Sequence, residues 1–173
     1  KEGKVTLREA DEFVLDAGLG IDLGDQHYVG ITYPPLADDV NAGDRLLLDD
    51  GLIELMVTST KGSKVTCKVT IGGVLSNSKG LNLAGGGLSA AALTDKDKAD
   101  ILTAAKAGAD YLAISFVTSA ADVELARKLF REAGGQGFIV SKIERAEAVD
   151  KHAEIIDASD VVMIARGDLA VEI

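Results

Sequence analysis

The sequence predicts an all-β part over residues 1–87 joined to an α/β part over 88–173, and two patterns carry that reading. From Lys64 to Ile71 apolar and polar residues alternate strictly, with Val65, Cys67, Val69 and Ile71 on one side, which is the two-residue period of a half-buried strand. After residue 88 the chain instead runs helix then strand three times, with strands almost wholly apolar. That pattern predicts a parallel sheet covered on both faces.

Each element of the first part follows from local chemistry. Arg45 to Val57 sets Asp50-Gly51 between two apolar runs, and a type I′ hairpin turn needs the positive φ that Gly and Asp tolerate. Shorter runs at Val5–Leu7, Phe13–Leu15 and Tyr28–Tyr33 are separated by Gly, Asp and Pro-Pro. Several short strands with turns between them predict a small antiparallel barrel or sandwich. Cys67 falls on the apolar side, where packing accounts for it. Lys79 to Gly87, ending in three glycines, reads as a hinge linker.

In the second part, Thr94 to Asp97 reads as a capping-box helix start with Gly108 as its stop. A strand at Tyr111–Phe116 follows, then a helix opened by Ser119 and Asp122 with Val123, Ala126, Phe130 and Ala133 on one face. Gly134-Gly135 closes it; a strand at Phe138–Ile143, a helix over Ala146–Ala158 and a strand at Val161–Ala165 complete the series. Three such units do not close a barrel, and the sequence begins at Lys1 without a methionine, so it reads as a piece cut at both ends.

Bulk composition narrows function. The net charge of −10 is spread evenly, with 8 basic and 13 acidic residues in 1–87 and 10 and 15 in 88–173. No basic cluster is present to neutralise phosphates, so nucleic acid is excluded as a partner class. No run approaches the length of a membrane span, and neither a span nor a signal peptide is expected. One cysteine forms no internal disulfide, which fits a reducing, cytoplasmic location.

Charged residues interrupt the buried strands at one end. Lys142 and Glu144 lie two apart at the close of the strand from Phe138, so both leave on one side, and Val161–Ala165 runs directly into Arg166-Gly167-Asp168. Residues at the carboxyl ends of parallel strands line active sites. Two readings stand: a rim ion pair from Lys142 to Glu144 or Asp168, or a divalent cation held by both carboxylates with Lys142 beside it. Mg²⁺ suits the second, since it takes one or two carboxylates and keeps positions for water and substrate oxygens.

Ser141-Lys142-Ile143-Glu144 and the run Val162 to Leu169 (VMIARGDL) resemble the two signature motifs of the pyruvate kinases. Leu46–Leu55 and Lys79–Leu83 are similar to that family's lid domain and exit linker, and the likeness runs in order through the chain. The resemblance implies a β-rich lid inserted in a (β/α)₈ TIM barrel, with the strands here as the fourth, fifth and sixth of eight. It implies phosphoryl transfer from phosphoenolpyruvate to ADP, giving pyruvate and ATP. It gives Lys142 the role of stabilising charge on the phosphoryl group, Glu144 and Asp168 that of Mg²⁺ (or Mn²⁺) ligands, and the backbone of Gly167 and Asp168 that of holding the substrate carboxylate. Lys79 matches a nucleotide-binding lysine, and Ser115 and Phe116 a supporting strand end. A K⁺ requirement and a homotetramer are implied as well. The K⁺ ligands and a substrate arginine belong upstream of Lys1, and a substrate threonine beyond Ile173.

The chain departs from the family pattern at Ala84 and Ala92, where proline is frequent, and at Ala170, where glycine is usual. An Mg²⁺-dependent pyruvate-type aldolase or lyase is the rival enzyme reading, and a non-catalytic binding module the rival outside catalysis. The 173 residues alone are expected to lack kinase activity and to self-associate through uncovered strands.

Overall fold

The computed structural model describes residues 3–173 and divides into two units, Lys1–Ala90 and Ala91–Ile173, each with its own buried core. The first unit holds strands β1 (Lys4–Leu7), β2 (Glu12–Asp16) and β3 (Tyr28–Gly30), a short helix α1 (Leu36–Asp39), then β4 (Arg45–Leu48), β5 (Ile53–Lys61), β6 (Lys64–Ile71), β7 (Gly73–Ser76) and β8 (Leu81–Leu83). Six strands form one sheet in the order β3-β2-β6-β5-β4-β8, and β1 pairs with β7 in a smaller one.

Alternation builds this core. Val65, Cys67 and Val69 are fully buried against Phe13, Leu46 and Leu55. Ile71, expected beside them, is half exposed, because a register shift opposite Glu54 and Leu55 breaks the two-residue period. The hairpin forms at Asp50-Gly51: both residues have positive φ (54° and 82°), and Leu52 N–H donates to the Asp49 carbonyl at 3.1 Å.

Two expectations are corrected here. The sheet is not wholly antiparallel, since β2 and β3 pair in parallel, with residues 17–27 as the crossover that parallel pairing requires. Its edges β3 and β8 are not paired with each other among the described residues, so no hydrogen-bonded ring closes the sheet. Residues 79–87, expected to be linker throughout, are also partly strand. Within them, β8 pairs with β4, Leu46 opposite Leu83, and Leu83 is buried.

The second unit runs α2 (Asp95–Lys106), β9 (Tyr111–Ile114), α3 (Ala120–Glu132), β10 (Phe138–Ile143), α4 (Ala146–Asp150), α5 (His152–Ala158), β11 (Val161–Ile164) and α6 (Arg166–Glu172). Thr94 and Asp97 cap α2 reciprocally, and the Asp122 carboxylate accepts from the Thr118 and Ser119 N–H groups at 2.9 and 3.0 Å before α3. The helix expected over residues 146–158 is instead broken at Lys151. A His152 ring nitrogen lies 2.7 Å from the Val149 carbonyl oxygen, an acceptor that an unbroken helix gives to a backbone N–H.

The strands form a parallel sheet in the order β11-β10-β9, with Ser141 opposite both Ile114 and Val162. Helices cover one face, where Val123, Ala126, Phe130 and Ile139 are fully buried. The expectation of cover on both faces fails for this chain. On the other face Tyr111 is 60% exposed and Phe138 53%, their ring centroids 5.7 Å apart, and Val161 and Met163 lie open on β11.

Candidate active site

Parallel pairing aligns the carboxyl ends of β9, β10 and β11, and each runs directly into charged or strained residues. Ser115 and Phe116 follow β9, Glu144 and Arg145 follow β10, and Ala165 alone separates β11 from the start of α6 at Arg166. The Ala165 N–H donates to the Ile143 carbonyl at 3.1 Å, which extends the β10–β11 pairing to the rim. With Ser141 opposite Ile114, the next step of the register sets Lys142 beside Ser115.

Lys142 and Glu144 are brought together. The Lys142 ammonium pairs with Glu144 Oε1 and donates to Ser115 Oγ at 3.0 Å. Glu144 is fully buried, and its Oε2 accepts from the Phe116 N–H at 2.8 Å. Phe116 reaches that carboxylate because its φ is +55°, a left-handed conformation rare for an aromatic residue and typical of places where function over-determines the backbone. Glu144 Oε1 is buried, and its one partner among the described residues is the Lys142 ammonium.

Gly167 and Asp168 lie in the first turn of α6, where backbone N–H groups lack intrahelical acceptors. The Asp168 carboxylate is half-buried and makes no hydrogen bond or ion pair among the described residues. The far end of α6 is tied down by Glu172, which is buried and accepts from the Ala146 N–H at 3.2 Å. Arg145, buried beside it in sequence, pairs with Glu147 at 3.2 Å.

Carboxylate oxygens are the donors that a hard divalent cation takes. Glu144 supplies an oxygen met only by an ammonium, and Asp168 a carboxylate with no partner among the described residues. Among the described residues no three His, Cys, Asp or Glu side chains gather to hold a metal. Mg²⁺ ordinarily takes only one or two protein carboxylates and completes its shell with water and substrate oxygens.

Lys79 belongs to the first unit. Its ammonium pairs with Asp49 Oδ1 at 2.8 Å, and that hydrogen bond, together with the Asp49 charge, raises its pKa. Asp49 and Asp50 serve the hairpin turn with positive φ. A shallow groove in the same unit, lined by Asp16, His27, Tyr28 and Lys64 among others, contains none of the candidate site residues. Reading the sequence alone gives Phe116 only a supporting place at a strand end, without its backbone contact to Glu144, and misses the buried Glu172. That contact has no signal in residue type, and Glu172 is one acid among many on short helices.

Comparison with known proteins agrees with the motifs. A family model described as "Pyruvate kinase, barrel domain" matches residues 1–173. Pyruvate kinase II of Salmonella typhimurium is 59% identical over the whole chain, and pyruvate kinases of Haemophilus influenzae and Buchnera aphidicola (subsp. Acyrthosiphon pisum) are 56% and 52% identical over 100% and 99% of it. The chain covers 37%, 37% and 36% of those proteins' lengths. A match along every residue, in both units and through both signature motifs, places this chain in the pyruvate kinase family.

Proposed function

We propose that the chain supplies the metal-holding and phosphoryl-handling side of a pyruvate kinase active site, in a protein that moves a phosphoryl group from phosphoenolpyruvate to ADP and forms pyruvate and ATP. The observation that carries this reading is the buried Glu144, held by the Phe116 N–H through one oxygen and facing Lys142 with the other. Glu144 and Asp168 would hold Mg²⁺, or Mn²⁺ in its place. The ion supplies positive charge against the negative charge that develops during transfer. Lys142 neutralises phosphoryl oxygens, which is most of what a loose phosphoryl-transfer transition state asks of a protein. The Gly167 and Asp168 N–H groups receive the substrate carboxylate, and Lys79 serves the nucleotide.

In the same proposal the first unit is the lid and the second a portion of a (β/α)₈ barrel, working with K⁺ in a cytoplasmic homotetramer. Residues 1–173 alone would then form no pyruvate. The test uses the intact protein with phosphoenolpyruvate, ADP, Mg²⁺ and K⁺. Lys142→Met is expected to lower kcat by about 10²–10³, the usual cost of removing one preorganised charge-stabilising donor. Turnover near that of the parent would reduce Lys142 to a rim ion pair. Pyruvate released from hydroxylated keto acids without ADP would favour the aldolase reading instead.

A further inference from the structure

We propose that the Lys142 ammonium is the resident counter-ion of the oxygen that receives the metal, and that Ser115 is the positioning residue that retains this ammonium when a divalent cation displaces it. The inference rests on the metal role proposed for Glu144. Its two oxygens are used unequally: Oε2 is taken by the Phe116 N–H at 2.8 Å, whereas Oε1 is met only by the Lys142 ammonium among the described residues. A backbone amide fixed by its own fold does not step aside. An ammonium on a four-carbon stem does, and Lys142 keeps about a quarter of its side chain exposed (23%).

Entry of a cation therefore falls to Oε1, where the ammonium already sits, and two positive charges do not share one buried oxygen. The ammonium has a second partner in contact, the Ser115 hydroxyl at 3.0 Å. A neutral hydroxyl accepts from the ammonium without competing for the metal. It leaves Lys142 beside the ion, where both can face one anionic group. Without Ser115 the displaced ammonium has only Oε1 to return to, and metal binding must compete with it directly.

The test is a Mn²⁺ titration of the intact protein with no substrate present, following the free ion by electron paramagnetic resonance. The forms compared are the parent, Ser115→Ala, Lys142→Met and the double variant. Ser115→Ala is expected to weaken Mn²⁺ binding about tenfold, the scale of one hydrogen bond to a charged group. Lys142→Met is expected to bind Mn²⁺ more tightly than the parent. Adding Ser115→Ala to Lys142→Met should then change nothing, because no ammonium remains to be held. Ser115→Thr keeps the hydroxyl and should stay near the parent. An equal loss from Ser115→Ala on both backgrounds, no loss on either, or no tightening in Lys142→Met would each overturn the proposal. Glu144→Gln separates this from the metal reading: unchanged Mn²⁺ affinity in that variant sinks the metal role itself. A large loss there without coupling between Ser115 and Lys142 sinks only the present inference.

Discussion

Phe116 does its work with its backbone. A left-handed φ costs an L-residue roughly 1–2 kcal/mol, and here it is spent on aiming one N–H at a buried carboxylate. Phe116→Gly removes the ring yet keeps both the conformation and the N–H, so Mn²⁺ affinity in the intact protein should stay within about twofold of the parent, since glycine adopts φ > 0 freely. Phe116→Ile keeps an apolar side chain in a conformation that β-branched residues resist. Its Mn²⁺ affinity and melting temperature should both fall. The reverse order would assign the role to the ring. Lys142 and Glu144 were legible in the sequence because charges at the end of an apolar strand are conspicuous. Ser115 as the lysine's partner was not, because a contact between residues 27 apart depends on how β9 and β10 register.

The joint where α3, β10 and the turn before β11 meet is a small polar lock. Arg127 donates to Asp160 Oδ2 and to the Ala158 carbonyl, each at 2.6 Å, and Asp160 Oδ2 also accepts from the Ile139 N–H at 2.8 Å. The backbone hydrogen bond from Ile139, then the one from Arg127, hold the Asp160 carboxyl below its usual pKa. A lowered carboxylate adds stability above its unfolded pKa, near 3.9, and that contribution disappears as pH falls through the lower folded value. Asp160→Asn should therefore destabilise the chain by about 1 kcal/mol near pH 7, discounted for partial exposure. The difference from the parent should vanish once both carboxyl states are protonated. Denaturant midpoints at pH 7 and pH 3 check this, and a deficit that persists undiminished at low pH would show that the charge is irrelevant. Helix starts such as Thr94 and Ser119 could be read from sequence because capping is local chemistry. The edge strand β8 was hidden in a glycine-rich stretch, since its pairing with β4 is not local. The break at Lys151 was hidden too, since it depends on where one imidazole turns.

Each unit buries a core of its own, but they differ in what they leave outside. The first closes Phe13, Leu15, Leu46, Leu55 and Val65 into one cluster. The second leaves a sheet face carrying Tyr111, Phe138, Val161 and Met163 exposed. Contiguous apolar area on a sheet with unpaired edge strands drives association. Residues 1–173 alone should sediment as oligomers whose mass grows with concentration, and Phe138→Glu should shift them toward monomer. A monodisperse monomer at all concentrations would mean that this face tolerates water. Apolar periodicity made the three strands visible in the sequence, but the same residues look alike whether or not a partner covers them.

That open face has an optical consequence. The 173 residues contain no tryptophan and three tyrosines, of which Tyr28 and Tyr33 lie in the first unit and Tyr111 alone in the second. Tyr111 stands against Phe138 on the uncovered side of the sheet. With Tyr28 and Tyr33 replaced by phenylalanine, ultraviolet emission would come from a single phenol on that surface. Its accessibility to a small quencher such as acrylamide then reports, for residues 1–173 alone and without a dye, whether a second copy has come to rest on the sheet.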